Sequence, residues 1–246
     1  MVQARRRIVD QLNDVMQGIE AEQQANPGMV QRGLLAKLLA TRDEDQSRLS
    51  REDIVDNVLT LVFAGSDTTA ATAISIWKAM SLSPNLYHDL QQLERATPKN
   101  SKESLSDLDQ VLLNVIDRVL QSYPSAPFTF RTSAHELSVG AYTVPQNWLV
   151  VYGLAGSLLD PHQIASETAL MVEEFTSSST KIPTTSYAFG VGPRKCPGRF
   201  LATAELFTFL KQLLQYNWQL DPDQYLKQVY NPGFFPVDGF RAKLLS

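Results

Sequence analysis

Apolar residues recur at helical spacing in the first part of the chain. Five of them fall on one helical face, namely Ile8, Leu12, Val15, Met16 and Ile19. Pro27 and Gly28 interrupt the pattern, because proline lacks the backbone donor that a helix needs and glycine favours a helix end. The sequence therefore predicts an amphipathic N-terminal helix over residues 1–28.

A second, longer apolar pattern predicts a helix over residues 50–81. Ser50 followed by Asp53 resembles a capping box, which marks the start of a helix. A helix of this length would extend about 45 Å, which exceeds most globular helices. Its apolar part carries Asp67 near the middle, and a charge at a bilayer centre costs about 2.5 to 3.5 kcal/mol. We therefore expect a helix through the middle of a large protein and no transmembrane span.

The rest of the pattern predicts further helices and then short strands. A helix is expected from residue 85, and two helical pieces are expected between residues 105 and 124. Between residues 135 and 154 the period changes to alternation, which predicts short strands joined by turns. Residues 189–217 comprise a glycine-rich loop and a strongly apolar helix. We expect a mainly α fold with small β-sheets, in a single domain over residues 1–246.

Charge and cysteine content narrow the function classes. The net charge is −4 and the pI is about 5.4, so no general attraction to nucleic acid is expected. The single cysteine excludes an internal disulfide and leaves its thiol as a buried small residue, a nucleophile or a ligand. The N-terminal stretch lacks the apolar core of a secretory signal, and its acidic residues argue against an ordinary transit peptide.

The only cysteine lies in the stretch FGVGPRKCPG, Phe189 to Gly198, which we call the cysteine loop. Glycines allow backbone to approach the sulfur closely, and prolines hold the turn. Nearby cations and the start of the following helix would favour an ionised thiol. The alternative is an ordinary buried cysteine. The composition of the loop favours a segment that presents a sulfur.

The cysteine loop resembles that of the cytochromes P450 at six positions, namely Phe189, Gly190, Gly192, Arg194, Cys196 and Gly198. The resemblance implies the C-terminal half of a P450 fold, with Cys196 as the axial thiolate ligand of haem b iron. Phe189 would shield that ligand, and Arg194 would pair with a haem propionate. Arg131 is expected to pair with the second propionate, with an ordinary loop cation as the alternative.

The stretch AGSDTT, Ala64 to Thr69, resembles the oxygen-activation signature of the same family. A glycine inside a helix costs about 1 kcal/mol relative to alanine, and the resemblance implies that Gly65 provides room for dioxygen. Asp67 and Thr68 would then relay protons. The alternative is that the threonines bond back to helix carbonyls and that Asp67 lies in a solvated groove.

The resemblance covers only the C-terminal half of the family's fold and departs from it at a charged triad. Arg118 and Gln121 stand where the family has Glu and Arg, and residues 172–175 read Val-Glu-Glu-Phe in place of Pro-Glu-Arg-Phe. Replacing a whole buried charged set can be nearly neutral, whereas losing one partner is strongly destabilising. Either Arg118 and Glu174 form a reversed pair, or this helix no longer serves the original architecture.

These features predict a shortened P450-like protein that acts as an accessory or structural subunit with little or no oxygenase activity. The alternative is a haem-thiolate monooxygenase that a partner chain completes and that a ferredoxin or reductase supplies with electrons. Either function requires a protein partner over the apolar face left by the missing half. A basic cluster is the expected contact for an electron donor, with a solvated basic face as the alternative; it is formed by Arg194, Lys195, Arg199 and Lys211. Likeness to cyanobacterial and plant members implies a plastid or other photosynthetic setting.

Overall fold

A computed structural model describes residues 2–28, 32–42, 45–97, 106–154, 187–224, 227–230, 234–237 and 239–245. Backbone contacts divide the chain into two compact units, Met1–Gly65 and Ser66–Ser246. The division falls inside the long helix predicted from the sequence. Each unit has its own core and is described separately, and the single domain over residues 1–246 stays a prediction.

The first unit consists of α1 (Val2–Ala25), α2 (Leu34–Ala40) and the beginning of α3 (Arg51–Leu82). Its small core contains Met16 of α1 with Ile54 and Val55 of α3, all of which are buried. The apolar residues of each helix lie on one face, and these two faces pack against each other in the core.

The start of α3 is a capping box, as the sequence predicted. The Asp53 N–H donates to Ser50 Oγ at 3.0 Å, and the Ser50 N–H donates to Asp53 Oδ2 at 3.3 Å. Two backbone donors that have no partner within the helix are thereby satisfied. α3 is long and apolar enough to cross a membrane by length and composition, a test that core helices of soluble proteins also pass.

The second unit adds three further helices to the remainder of α3: α4 (Pro84–Ala96), α5 (Asp107–Ser122) and α6 (Arg199–Leu213). The prediction of two helical pieces before Pro124 was wrong, because α5 is one continuous helix. Its start is a second capping box between Ser106 and Asp109, and its apolar residues repeat without a break. Two short 3-10 helices, Tyr187–Phe189 and Gly192–Arg194, precede α6.

Helices α3 to α6 share one hydrophobic core in this unit. Side chains that are completely or almost completely buried include Ile76 of α3, Leu90 of α4, Leu112 of α5 and Leu210 of α6. This core supports the C-terminal part of α3 and the whole of α6, and therefore the elements that carry the candidate site residues.

The described strands form four two-stranded antiparallel sheets. The strands are β1 (Phe128–Thr132), β2 (Leu137–Val139), β3 (Tyr142–Val144), β4 (Leu149–Gly153), β5 (Asn217–Leu220), β6 (Gln228–Tyr230), β7 (Phe234–Pro236) and β8 (Ala242–Leu245). β1 pairs with β4, β2 with β3, β5 with β8, and β6 with β7. The mainly helical fold with small sheets is therefore confirmed.

Candidate functional site

The backbone of the cysteine loop is held in a compact turn that ends at Cys196. Gly190 and Gly192 have φ angles of 73° and 72°, a region in which residues with a Cβ are strained. The Cys196 N–H donates to the Phe189 carbonyl at 2.9 Å, and the Lys195 N–H donates to the Gly192 carbonyl at 3.1 Å. The two glycines thus allow the chain to fold back so that Cys196 lies beside Phe189.

Cys196 is a free, half-buried cysteine at the entrance to α6. Gly198 precedes the helix, and the Ala202 N–H donates to its carbonyl at 2.9 Å. A Cβ built on Gly198 would lie 3.9 Å from the Cys196 sulfur, which is an ordinary contact distance. The loop therefore places one sulfur at the N-terminal end of a long helix.

This donor set fits haem better than a metal ion held by protein alone. Cys196 is the one cysteine of the chain. The described residues contain no group of three or more His, Cys, Asp or Glu side chains that could together hold a metal ion. An iron bound here would take its other ligands from a non-protein group, as haem iron does. Arg194 is exposed and forms no ion pair with the other described residues, so it is available to an anion.

Arg131 lies on β1 and is exposed. Its Nη1 donates to the carbonyl of its neighbour Phe130 at 2.7 Å. In this structure the guanidinium therefore contacts the edge of its own strand. The role of Arg131 as a propionate partner stays a prediction.

The stretch that resembles the oxygen-activation signature lies on α3. Gly65 is exposed, and a Cβ built there meets no atom within 4 Å, so close packing does not require glycine at this position. Asp67 and Thr68 follow in the second unit, where both are half-buried. Thr72 Oγ1 donates to the Thr68 carbonyl at 2.9 Å. The back-bonding that the alternative assigned to the side chains of Thr68 and Thr69 stays a prediction.

A groove of about 530 Å³ beside the cysteine loop contains residues that the sequence did not single out. Gln110, Asn114 and Asp117 line it from one face of α5, and Lys195 and Arg199 line it from the other side. Burial raises the pKa of the Asp117 carboxyl, because it disfavours the charged form. Helical spacing could have placed the three α5 residues on one face, but only the packing of α5 against α6 brings them to the loop.

The predicted basic cluster does not hold together as one surface. Lys211 lies twelve residues beyond Arg199 on α6, a rise of about 18 Å. Its Nζ instead pairs with Asp109 Oδ1 at 3.0 Å. The Arg199 guanidinium lies over the Phe200 ring at 4.0 Å from its centre. Arg194, Lys195 and Arg199 are the members of the cluster that belong to the loop region.

The mainly helical fold and the cysteine loop together define the P450-like class of protein that the sequence predicted, and comparison with known proteins identifies its family. The family model for cytochrome P450 matches residues 1–238. The chain belongs to the cytochrome P450 family, as its cysteine loop predicted.

The relatives include cyanobacterial and plant proteins. A putative cytochrome P450 120 of Synechocystis is 29% identical over 93% of this chain and 52% of its own length. The abscisic acid 8'-hydroxylase 2 of Arabidopsis thaliana is 29% identical over 88% of this chain and 45% of its own length. The chain thus spans about half the length of the curated relatives that it matches.

Solved structures also match nearly the whole of this chain but only about half of their own length. The retinoic acid bound cyanobacterial CYP120A1 has a TM-score of 0.77 and 29% identity, and the match covers 95% of this chain and 55% of that one. CYP102L1, with a TM-score of 0.75 and 22% identity, shows the shared fold alone.

The altered charged triad is only partly within the described residues. Arg118 and Gln121 lie on α5, both half-buried. Residues 172–175, including Glu174, lie outside the described residues. The reversed pair of Arg118 and Glu174 therefore stays a hypothesis.

Proposed function

We propose that this chain is an accessory or structural subunit of a larger assembly, with little or no oxygenase activity of its own. The observation that carries the proposal is the exposure of large apolar side chains on α6 and β1. Phe200 and Leu201 of α6 are 72% and 65% exposed, and Phe130 of β1 is 58% exposed. Large apolar side chains exposed to this extent favour an interface, so the proposal includes a protein partner that covers them.

The identities of two side chains on α5 support the proposal of little or no oxygenase activity. The resemblance to the family calls for an acid and a base one helical turn apart, whereas this helix has Arg118 and Gln121. Gln121 carries no charge, so the helix cannot provide the intrahelical ion pair that the family places there. An inherited cysteine loop, combined with an altered α5, suits a subunit that uses the fold for assembly.

The proposal is tested by isolating the protein from its native source under conditions that keep assemblies intact. We expect a stoichiometric complex with another polypeptide, and no red-shifted Soret band after reduction and addition of carbon monoxide. A monomeric protein would contradict the assembly role. A red-shifted band that disappears in a Cys196→Ser variant would contradict the loss of haem-thiolate function.

A second candidate function is a haem-thiolate monooxygenase completed by a partner chain. The geometry of the cysteine loop favours it, because Gly190 and Gly192 hold Cys196 in a defined position beside Phe189. When bound, haem with a thiolate ligand supplies oxygen activation. Cys196 would ligate the haem b iron, and Arg194 and Arg131 would neutralise its propionates.

In this second candidate, Gly65 would leave space beside α3, and Asp67 and Thr68 would pass protons inward from solvent. Electrons would come from a ferredoxin or reductase that contacts Arg194, Lys195 and Arg199. Thr68→Ala should then lower product formation by roughly tenfold or more. Thr60→Ala is the matched control, because Thr60 lies on the same helix, is exposed, and its Oγ1 donates to the Asp56 carbonyl within that helix. Equal activity of the two variants would argue against the relay.

A further inference from the structure

The groove beside the cysteine loop runs between two rows of side chains in the second unit. The row on α5 has helical spacing and consists of Gln110, Asn114 and Asp117. The row on α6 repeats every four residues and consists of Arg199, Thr203 and Phe207. Each row extends about 10 to 12 Å along its helix. This length and the volume of about 530 Å³ are in the range of small-molecule sites.

Large apolar side chains form much of the wall of the groove, namely Leu113, Phe189, Phe200 and Phe207. Phe200 is exposed, so part of this wall is in contact with solvent. An apolar body that lies against these rings would remove their surface from water and would gain ring contacts as well. The wall therefore favours a ligand with an aromatic or aliphatic body.

Two cations line the groove where it meets the cysteine loop. Lys195 and Arg199 are both half-buried, and neither belongs to an ion pair among the residues that the structure describes. Lys211, near the end of α6, differs in this respect because Asp109 neutralises it. The planar guanidinium of Arg199 can donate two N–H groups to one carboxylate, and the Lys195 ammonium adds a point charge. These two side chains favour an anionic group on the ligand.

Asp117 also lines the groove, but it does not neutralise these two cations. Its carboxyl takes part in none of the described ion pairs. Burial, rather than a neighbouring charge, raises its pKa, and this shift weakens the repulsion that an anion would meet. Asn114 accepts a hydrogen bond from Gln110 Nε2 at 3.2 Å through its Oδ1. The amide N–H groups of Asn114 have no partner among the described residues and can donate to a ligand.

We propose that the groove beside the cysteine loop binds a small organic carboxylate with an aromatic body. The carboxylate accepts from Arg199 and Lys195, and the ring lies against Phe200 and Phe207. The inference goes beyond both functions proposed above and depends on neither, because every group that it uses belongs to the described part of this chain. A ligand held there would cover two of the three cations that the second candidate function assigns to an electron donor.

Three probes test the chemistry of the ligand by calorimetric titration of the purified protein. 4-Phenylbutyrate has both the charge and the ring, 4-phenylbutanol lacks the charge, and butyrate lacks the ring. We expect saturable binding of one 4-phenylbutyrate per chain, about tenfold or more tighter than binding of either other probe. Equal affinity for the acid and the alcohol would refute the anionic group. Equal affinity for 4-phenylbutyrate and butyrate would refute the aromatic body.

The sign of the preferred charge needs a fourth probe, because Asp117 also lines the groove. 4-Phenylbutylamine has the same body and the opposite charge. We expect it to bind about tenfold or more weaker than 4-phenylbutyrate. Tighter binding of the amine would mean that Asp117 selects the ligand, and this result would overturn the proposal.

Variants of Arg199 test which side chain holds the carboxylate. Arg199→Gln should weaken binding of 4-phenylbutyrate by about tenfold or more and leave binding of 4-phenylbutanol unchanged. Lys243→Gln is the matched control, because Lys243 is an exposed cation on β8 that does not line the groove. Should Arg199→Gln fail to fold in a urea titration, Arg199→Lys keeps the charge, loses the planar fork and should still weaken binding. Unchanged affinity in the folded variant would refute the role of Arg199.

Protection of lysines from acetylation, measured by mass spectrometry, locates the bound ligand. At a concentration of 4-phenylbutyrate about ten times its Kd, acetylation of Lys195 should slow by roughly tenfold. Acetylation of Lys243 should not change. Binding without protection of Lys195 would place the ligand elsewhere and overturn the proposal. An absence of binding, including one caused by another segment or another protein that fills the groove, would overturn it as well.

Discussion

Tyr87 and Leu213, which lie 126 residues apart, are joined by a hydrogen bond from Tyr87 Oη to the Leu213 carbonyl at 2.5 Å. The same hydroxyl lies 2.8 Å from the Tyr216 carbonyl. Gln91, one turn further along α4, donates to the carbonyls of Leu214 and Tyr216, each at 3.1 Å. The last carbonyls of a helix have no partner within it, so α4 provides donors for the end of α6, in addition to the Tyr216 N–H that reaches the Leu213 carbonyl at 3.1 Å.

The first prediction concerns this contact. Tyr87→Phe should lower the free energy of unfolding by about 1 kcal/mol, because it removes a part-buried hydrogen bond to the Leu213 carbonyl, which then keeps only the Tyr216 N–H as a donor. Urea unfolding measures the loss. Tyr142→Phe is the control, since Tyr142 is 79% exposed and its hydroxyl has no such partner among the described residues, and it should stay within about 0.5 kcal/mol of the wild type. Equal effects of the two changes would contradict the role of Tyr87.

The second prediction separates buried from exposed leucines. Leu112 on α5 is 0% exposed, and Leu112→Ala should cost about 2 to 5 kcal/mol through lost burial and a cavity. Leu201 on α6 is 65% exposed, and Leu201→Ala should change the stability of the isolated chain by less than about 0.5 kcal/mol. Within the proposed assembly, Leu201→Ala should instead weaken partner binding. If Leu201→Ala destabilised the isolated chain but left partner binding unchanged, this result would count against the proposed interface.

The third prediction compares two glycines of the cysteine loop. Gly190 has a φ of 73°, so Gly190→Ala should cost about 1 to 2 kcal/mol and disturb the loop. Gly198 has a φ of −84°, and a Cβ there meets only an ordinary contact with the Cys196 sulfur. Gly198→Ala should therefore be tolerated. The reaction rate of the Cys196 thiol with a disulfide reagent and thermal unfolding report both changes, and identical behaviour would refute the conformational argument.

The fourth prediction concerns pH. Burial raises the pKa of Asp117 above its usual value, so the folded chain holds this proton more tightly than the unfolded chain. The associated stability is present below the unfolded pKa near 3.8 and is lost as the pH rises through the higher folded value. Asp117→Asn should therefore be more stable than the wild type at neutral pH.

The advantage of Asp117→Asn should shrink as the pH falls toward 4, which urea unfolding over a pH series measures. Asp89→Asn, on an exposed part of α4, controls for the removal of a negative charge. An Asp117→Asn advantage that persists unchanged at low pH would mean that its cause is not the protonation of Asp117.

The sequence alone determined the features that depend on neighbouring residues. The Ser50 and Asp53 capping box, the long helix that follows it and the cysteine loop around Cys196 are each encoded within a few consecutive residues or one helical period. The family could be predicted for the same reason, because its motif is contiguous.

Tertiary structure alone decided the contacts between distant segments. The bond of Tyr87 to Leu213, the pairing of Lys211 with Asp109 and the groove beside Asp117 each depend on how two helices pack. The contact of Arg131 with the Phe130 carbonyl depends on which edge of β1 meets β4. Periodicity tells which face of an element is apolar, but the partner of that face is chosen by the packing of the whole chain.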